Sequence, residues 1–423
     1  MRKKILVRGP CLTRSGYGEH ARFVIRSLRA REDIFDIYVI PVGWGQTGWT
    51  AEDNEERAWL DERIKATAIY THQKGQFDIS LQVTIPNEWE RLAPINIGVT
   101  AGIETTKVAP VWLEKANIMD KIITISEHSK WGFTNTTYQG QNSQTGEPMT
   151  LACSVPVEIV HYPVKTYGTL PKLELNLDYD FNFLAVAQQG PRKNLENTIK
   201  WFVEENIDQK VGLVVKTFIK NGSIVDREHA EKMLSVILSK YPERKCKVYL
   251  LHGDLTDAEM HSLYAHPQIK AMVSLTHGEG FGLPLFEAAY SALPIIAPGW
   301  SGQCDFLYAP SEGNKKKKGG DKKHPHFAEV DYDIAPVQPA AVWDGVIVRD
   351  SQWCNPEEGS YKMRLRQVRK QYSKWKKKAE VLQKWVLENF ESEKIHTQMA
   401  ENIFKPSPEE LDWMQGLSEI EIL

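Results

Sequence analysis

Short aliphatic runs alternate with amphipathic helical segments along the first third of the chain. KILVR is followed by EHARFVIRSLRA, and IYVIPV by EERAWLDERIKA. INIGVT and KIITI continue the series, each with a helical pattern after it. Buried parallel strands that alternate with amphipathic helices produce such a pattern. The pattern therefore predicts an α/β domain with a doubly wound parallel sheet.

A second series of the same kind begins at FNFLAVA, after a segment at 164–179 that has no clear period. VGLVVKT, KVYLL, KAMVSL and PIIA follow, separated by helical patterns. A chain of 423 residues also exceeds what one core usually covers. We therefore predict two Rossmann-like domains, at 1–165 and 176–390, facing a central cleft where a ligand binds. The helical pattern continues to residue 403, and we expect the segment 391–423 to pack back on the first domain.

Composition argues against several classes of protein, among them nucleic-acid-binding and membrane-spanning proteins. Hydrophobic residues make up 42% of the chain and charged residues 25%, with a formal net charge of −3, so no nucleic-acid partner is expected. No apolar run approaches the roughly 20 residues of a membrane span, and the N-terminus lacks a signal peptide's apolar region. A cytoplasmic protein is the expectation. Five scattered cysteines without a CxxC pair argue against a disulfide framework or a zinc site.

The segment HGEGFGLPLFEAAYSALPIIAP, residues 277–298, carries the clearest chemistry. Its glycines let the backbone approach a ligand, and the helix that starts near Pro284 directs unpaired N–H groups at it, which is typical of a phosphate site. Glu279 lies in the loop and Glu287 in the helix. A carboxylate can accept hydrogen bonds from two neighbouring hydroxyls, as on a sugar or ribose. The segment therefore indicates a nucleotide-sugar site.

The order E-G-F-G-L-P-x-x-E resembles the signature of retaining glycosyltransferases of family 4, which have the GT-B fold. FLAVAQQGPRKNLENTI, VYLLHGDLTDAEMHSLY and KIITISEHSKWGF are similar to further segments of that family. The resemblance implies a retaining, metal-independent hexosyltransferase that needs no cofactor. Such an enzyme moves a sugar from a nucleoside diphosphate donor to an acceptor hydroxyl, as in glycan or polysaccharide biosynthesis.

The resemblance also assigns roles to individual residues. Glu279 would hold hydroxyls of the transferred sugar, Lys193 would neutralise the departing diphosphate, and Glu287 would bind the ribose. The expected donor-binding residues are Gly16, Lys193, Lys216, His252, Gly280, Phe281, Gly282, Leu283 and Glu287. Tyr17 and Glu104 are expected on the acceptor side.

Two departures from the family pattern leave roles open. Gln188 stands where many members have an arginine after the strand, with Arg192 four residues on, so the residue that supplies the second phosphate charge is undetermined. Ala101 and Gly102 stand where many members carry a histidine, and Glu104 is a possible functional replacement.

Several alternatives accompany this interpretation. GYGEHA, residues 16–21, matches a dinucleotide fingerprint, but it begins seven residues beyond Gly9, and the second strand ends without an acidic residue, which argues against NAD. Two DYD triplets do not follow buried strands, so no metal site is predicted. The lysine-rich run at 312–326 is a solvated loop or a basic hook for phosphate. A nucleotide-sugar-binding protein without catalysis and a GT-B epimerase are the alternative functions.

Overall fold

A computed structural model describes residues 2–44, 52–141, 146–310 and 322–405. Most of the lysine-rich run, residues 312–321, lies outside the described residues, as do residues 406–423 of the predicted C-terminal tail.

The first domain is built on a six-stranded parallel sheet with the order β2-β1-β3-β4-β5-β8. Helices pack on both faces of this sheet, and the β6–β7 hairpin forms a separate two-stranded sheet beside α3 and α4. The elements are β1 Lys3–Gly9, α1 Gly16–Arg29, β2 Phe35–Pro41, α2 Glu55–His72, β3 Ile79–Val83, β4 Ile95–Thr100, α3 Pro110–Ala116, β5 Lys121–Thr124, α4 Glu127–Asn135, β6 Thr137–Gln141, β7 Pro148–Ala152 and β8 Val157–Ile159. The strand order reverses between β1 and β3, because β1 pairs with both β2 and β3.

The second domain repeats this plan with the order β11-β10-β9-β12-β13-β16. All five pairings are parallel, and the order reverses between β9 and β12. Its elements before the C-terminal helices are β9 Asn182–Gln188, α5 Leu195–Glu205, β10 Gly212–Phe218, α6 Ile224–Leu238, β11 Lys247–Leu251, α7 Asp257–Tyr264, β12 Ile269–Val273, α8 Leu283–Tyr290, β13 Ile295–Pro298, α9 Cys304–Leu307, β14 Tyr308–Pro310, β15 Lys323–Pro325, β16 Ala328–Val330, β17 Tyr332–Pro336 and β18 Gln352–Pro356. Two doubly wound sheets were predicted, and they are confirmed.

Residues 337–351, here called the bridging loop, connect β17 to β18 and leave the second domain to contact the first. Val346 is buried in the first domain's core cluster with Trp89 and Trp112. Asn87 donates to the carbonyl of Gly345 at 2.9 Å. The loop is therefore fixed to the first domain by apolar burial and by a hydrogen bond at its tip.

Three consecutive helices end the described chain, namely α10 Glu358–Lys370, α11 Tyr372–Asn389 and α12 Ser392–Ile403. The last of them lies against α1, where Ser27 Oγ and His396 Nδ1 are 2.8 Å apart. Lys121 donates to the carbonyl of Asn402 at 2.9 Å. The C-terminal helix thus crosses back to the first domain, as predicted, while the exact domain boundaries stay predictions.

Of the helices within the described ranges, none has both the length and the apolar content needed to cross a bilayer.

Candidate active site in the interdomain cleft

The two sheets place their reversal points on opposite walls of one cleft of about 940 Å³. Open α/β sheets bind ligands outside the carboxyl ends of the strands, at the point where strand order reverses. In the second domain this point lies between the loop 189–194, after β9, and the loop 274–282, after β12. In the first domain it lies between the loops that follow β1 and β3. The fold therefore brings four loops, distant in sequence, to one site.

The loop before α8 is shaped by its glycines. Gly282 has φ +93°, a left-handed conformation that favours glycine, and it caps the N-terminus of α8. A Cβ on Gly280 would lie 2.6 Å from the carbonyl oxygen of Ala101 in the first domain. Ser126 also donates to the carbonyl of Gly280 at 2.7 Å. The helix N-terminus thus faces the cleft while the loop itself is pressed against the opposite domain.

Glu279 is the centre of a charge cluster. Its carboxylate accepts from Lys193 Nζ at 2.6 and 2.8 Å and from Arg192 Nη1 at 3.0 Å. The residue is only 8% exposed. Burial by itself favours the neutral acid, but the attraction of Lys193 and Arg192 outweighs it and lowers the pKa of Glu279 to about 2. Glu279 is therefore a carboxylate at every physiological pH.

Arg192 and Lys193 belong to the short 3-10 turn between β9 and α5. Asn194, at φ +50°, ends this turn and precedes the helix, so the two basic side chains point into the cleft from one loop. Burial, followed by repulsion from Arg192, lowers the pKa of Lys193. Arg192 also lies 3.1 Å from Glu104 of the first domain. It therefore links the carboxylates of the two walls.

Lys216, at the carboxyl edge of β10, lines the same cleft and donates to the carbonyl of Gly253 at 2.5 Å. Burial lowers its pKa. Gln188 also lines the cleft, but its side-chain amide donates to the carbonyl of Ile219. Of the two candidates for the second phosphate charge, Arg192 is the one that reaches Glu279.

Glu287 lies in α8, at the junction of the main cleft with a smaller cavity of about 250 Å³. Burial raises its pKa to about 7, although the nearby Lys165 acts in the opposite direction. Lys165 is held between Glu19 of the first domain and Asp257 of the second, at 2.8 Å from each. Glu287 therefore titrates near neutrality beside an ion bridge that joins the domains.

His252 is placed differently from its predicted role. Its Nε2 lies 2.8 Å from Asp226 Oδ1, and Asp226 also accepts from the backbone amides of residues 219, 220 and 221. The imidazole does not line the cleft. This contact orders the loop after β10.

The first-domain wall contains Gly16 and Tyr17 at the start of α1, as well as Glu104. The Tyr17 hydroxyl is 2.8 Å from Thr100 Oγ1, and its ring meets the indole of Trp44 edge-on at 5.2 Å. The ring of Phe281, by contrast, packs in a buried aromatic cluster with Phe286, Phe306 and Phe390. Its backbone forms part of the loop before α8.

Several cleft residues were not singled out as site residues from the sequence, among them Ile85 and Glu88 after β3, Tyr264 in α7, and Trp343 in the bridging loop. Lys165 of the smaller cavity was also missed. The position of Glu88 after a buried strand could have indicated it, but no local pattern marks Trp343 or Lys165. Within the described ranges, no group of three or more His, Cys, Asp and Glu is placed to hold a metal ion.

Comparison with known proteins gives the following similarities. No protein-family model matches the chain. The serotype-specific mannosyltransferase WbdA of Escherichia coli is 30% identical over 118 residues, which span 27% of this chain and 13% of WbdA. The chain thus matches about an eighth of that relative's length.

Two solved structures match almost the whole chain. The HepE protein of Anabaena, in complex with UDP and glucose, aligns with a TM-score of 0.58 at 12% identity and covers 95% of this chain and 99% of its own. Sucrose-phosphate synthase of Thermosynechococcus elongatus aligns with a TM-score of 0.59 at 12% identity, covering 95% and 98%. At this identity the likeness concerns the fold.

Proposed function

The chain has the GT-B fold of glycosyltransferases, and from this premise we propose that it is a retaining, metal-independent glycosyltransferase. It moves a sugar from a nucleoside diphosphate sugar to an acceptor hydroxyl, in the synthesis of a glycan or polysaccharide. The fold alone does not carry this proposal, because one fold hosts many functions. The proposal depends on the chemistry of the cleft.

The observation that carries it is the convergence of Arg192 and Lys193 on Glu279, beside the N-terminus of α8. Two cations and a helix N-terminus form an anion site with room for more than one negative group. The two cations can pair with a bound diphosphate as well as with the carboxylate of Glu279. Glu279 then has lone pairs for the hydroxyls of the sugar next to that diphosphate.

In the reaction, the bond between the sugar's anomeric carbon and the diphosphate oxygen breaks, and negative charge builds on the departing diphosphate. Lys193 and Arg192 stabilise this charge, as fixed electrostatic groups do in a site screened from water. Glu287 accepts hydrogen bonds from the ribose hydroxyls. Retention follows when the acceptor attacks from the face that the diphosphate leaves, and the departing oxygen takes the acceptor's proton.

A donor panel tests the proposal. The purified protein is given UDP-, GDP- and ADP-linked sugars, beginning with mannose and glucose, in the presence of EDTA, and nucleoside diphosphate release is measured. Glu279→Gln keeps the shape of the side chain but removes its charge, and we expect a loss of about 10²-fold or more in kcat. Glu174→Gln is the matched control, since Glu174 is exposed and pairs with the exposed Lys172.

Each result has a distinct meaning. Release that survives EDTA and falls in Glu279→Gln supports the metal-independent transferase, and the product's anomeric configuration by NMR tests retention. Donor binding without turnover on any acceptor favours a binding protein. A changed sugar without an acceptor favours an epimerase. A protein that binds no donor contradicts the proposed site.

A further inference from the structure

The two walls of the cleft differ in charge, although the second-domain wall holds the carboxylates Glu279 and Glu287 as well as cations. All three lysine and arginine side chains that line it, within the described residues, belong to the second domain, namely Arg192, Lys193 and Lys216. The first-domain lining has two charged side chains in the same ranges, and both are carboxylates, Glu88 and Glu104. An acceptor that lies against the first-domain wall therefore meets two carboxylates and, within the described residues, no lysine or arginine of that wall, while Glu104 is paired with Arg192 across the cleft at 3.1 Å.

Aromatic rings accompany these carboxylates. Trp44 Nε1 donates to Glu88 Oε1 at 2.7 Å, which fixes the indole beside the carboxylate. Tyr17 meets the same indole edge-on at 5.2 Å. Tyr17 begins the helix after β1 and Glu88 lies in the loop after β3, and the first sheet reverses its order between these two strands. The place at which a doubly wound sheet binds its ligand is thus lined by rings and carboxylates.

A second indole reaches the cleft from the bridging loop. Trp343 lines the cleft and is 59% exposed, although the loop that carries it is anchored. Val346, three residues on, is buried in the first domain's core, and Trp343 closes a tight turn through two backbone hydrogen bonds with Ile347. A large apolar ring that is exposed to solvent, on a loop that is fixed in place beside a cleft, is a contact surface for a ligand.

We propose that the acceptor is a non-ionic carbohydrate that stacks on the indoles of Trp44 and Trp343 and donates hydroxyl hydrogen bonds to Glu88 and Glu104. The inference rests on the proposed function. A sugar ring has apolar C–H faces that suit an indole and a rim of hydroxyls that suits carboxylates. A phosphorylated or carboxylated sugar on the same wall would be repelled by the two glutamates, and such repulsion is a means of selecting a substrate.

The test compares neutral sugars with their charged counterparts. The probes are methyl glycosides and disaccharides of mannose, glucose, galactose and N-acetylglucosamine, together with the corresponding sugar 6-phosphates. Binding is measured by saturation-transfer NMR in the presence of UDP or GDP, and transfer is measured with the donor identified by the panel. We expect the neutral member of each matched pair to bind and to accept the sugar better, by about tenfold or more.

Four variants of the full chain separate stacking from structure. Trp343→Ala should raise the acceptor KM by on the order of tenfold, and by more than it changes the donor KM, and Trp343→Phe should restore most of the loss. Trp131→Ala is the control, because Trp131 is 41% exposed and does not line the cleft. Glu88→Gln, which keeps an acceptor for Trp44, should narrow the preference for neutral sugars.

A charged sugar used as well as its neutral partner would overturn the proposal. So would Trp343→Ala behaving like Trp131→Ala, or an absence of binding by every neutral probe while nucleotide binding persists. A failure of the proposed function is distinguishable, because then wild-type protein either binds no nucleoside diphosphate or binds it without turnover on any acceptor, neutral or charged.

Discussion

The two walls of the cleft differ in how the chain builds them. The second-domain wall is made of contiguous motifs, since the loop 189–194 supplies both of its central cations and the loop 274–282 supplies Glu279 and its glycines. The first-domain wall is assembled from one to three residues of each of seven separate segments, the last of them Trp343 in the bridging loop. The charged groups proposed to bind the donor diphosphate thus come from two loops. The surface proposed for an uncharged sugar ring instead combines residues from many parts of the fold.

The largest expected effect is on the cationic wall. Lys193→Ala removes the cation at 2.6 Å from Glu279 and a charge that the departing diphosphate needs, so we expect kcat/KM to fall by about 10²- to 10³-fold. Steady-state kinetics with the identified donor measures it. Lys172→Ala, at an exposed lysine outside the cleft, should change nothing. Equal effects of the two substitutions would refute the role of Lys193.

The contact between the walls can be changed at Gly280. A Cβ there would meet the carbonyl oxygen of Ala101 at 2.6 Å, so Gly280→Ala must push the domains apart and loosen the cleft. We expect kcat to fall by about tenfold, since small displacements in an active site are costly. Small-angle scattering would detect the opening. Gly359→Ala, whose Cβ would meet nothing within 4 Å, is the control and should leave both measurements unchanged.

Donor binding should depend on pH through Glu287. Its pKa of about 7 means that the ionised form, which accepts hydrogen bonds from two ribose hydroxyls, rises from about a tenth at pH 6 to about nine tenths at pH 8. Donor affinity measured by calorimetry should therefore increase by up to about ninefold over this range. Glu287→Gln should bind weakly at both pH values, and a variant that keeps the wild-type pH dependence would contradict the assignment.

The smallest expected effect is on stability. The pKa of Glu287 is higher in the folded state than the ordinary value, so stability falls as pH rises from about 4.5 to about 7 and then stays lower. Glu287→Gln should therefore raise the free energy of unfolding at pH 8 by about 1 kcal/mol, and have no such effect at pH 4. Urea denaturation at the two pH values measures it. A destabilised variant at pH 8 would contradict the argument.

The contrast between the walls also explains what the sequence could predict. The period of apolar residues specified both parallel sheets, because a strand buried on both faces has a local signature. The glycines and carboxylates of the 277–298 segment indicated an anion site because they, too, form a local pattern within one stretch of sequence. Trp343 and Lys165 were missed since their significance arises only from contacts across the domains. His252 was assigned to donor binding from the family resemblance, and in the structure its ring lies against Asp226 outside the cleft lining.

The C-terminal helix has a consequence for biosynthesis. The first sheet is complete in sequence at Ile159, but α12, which covers α1, begins only at Ser392. A ribosome that adds about 5–20 residues per second needs on the order of ten seconds or more to make the intervening chain. During that interval Phe23 and its neighbours on α1 lack their final cover, so the nascent first domain exposes a surface that chaperones recognise and that other nascent chains can bind.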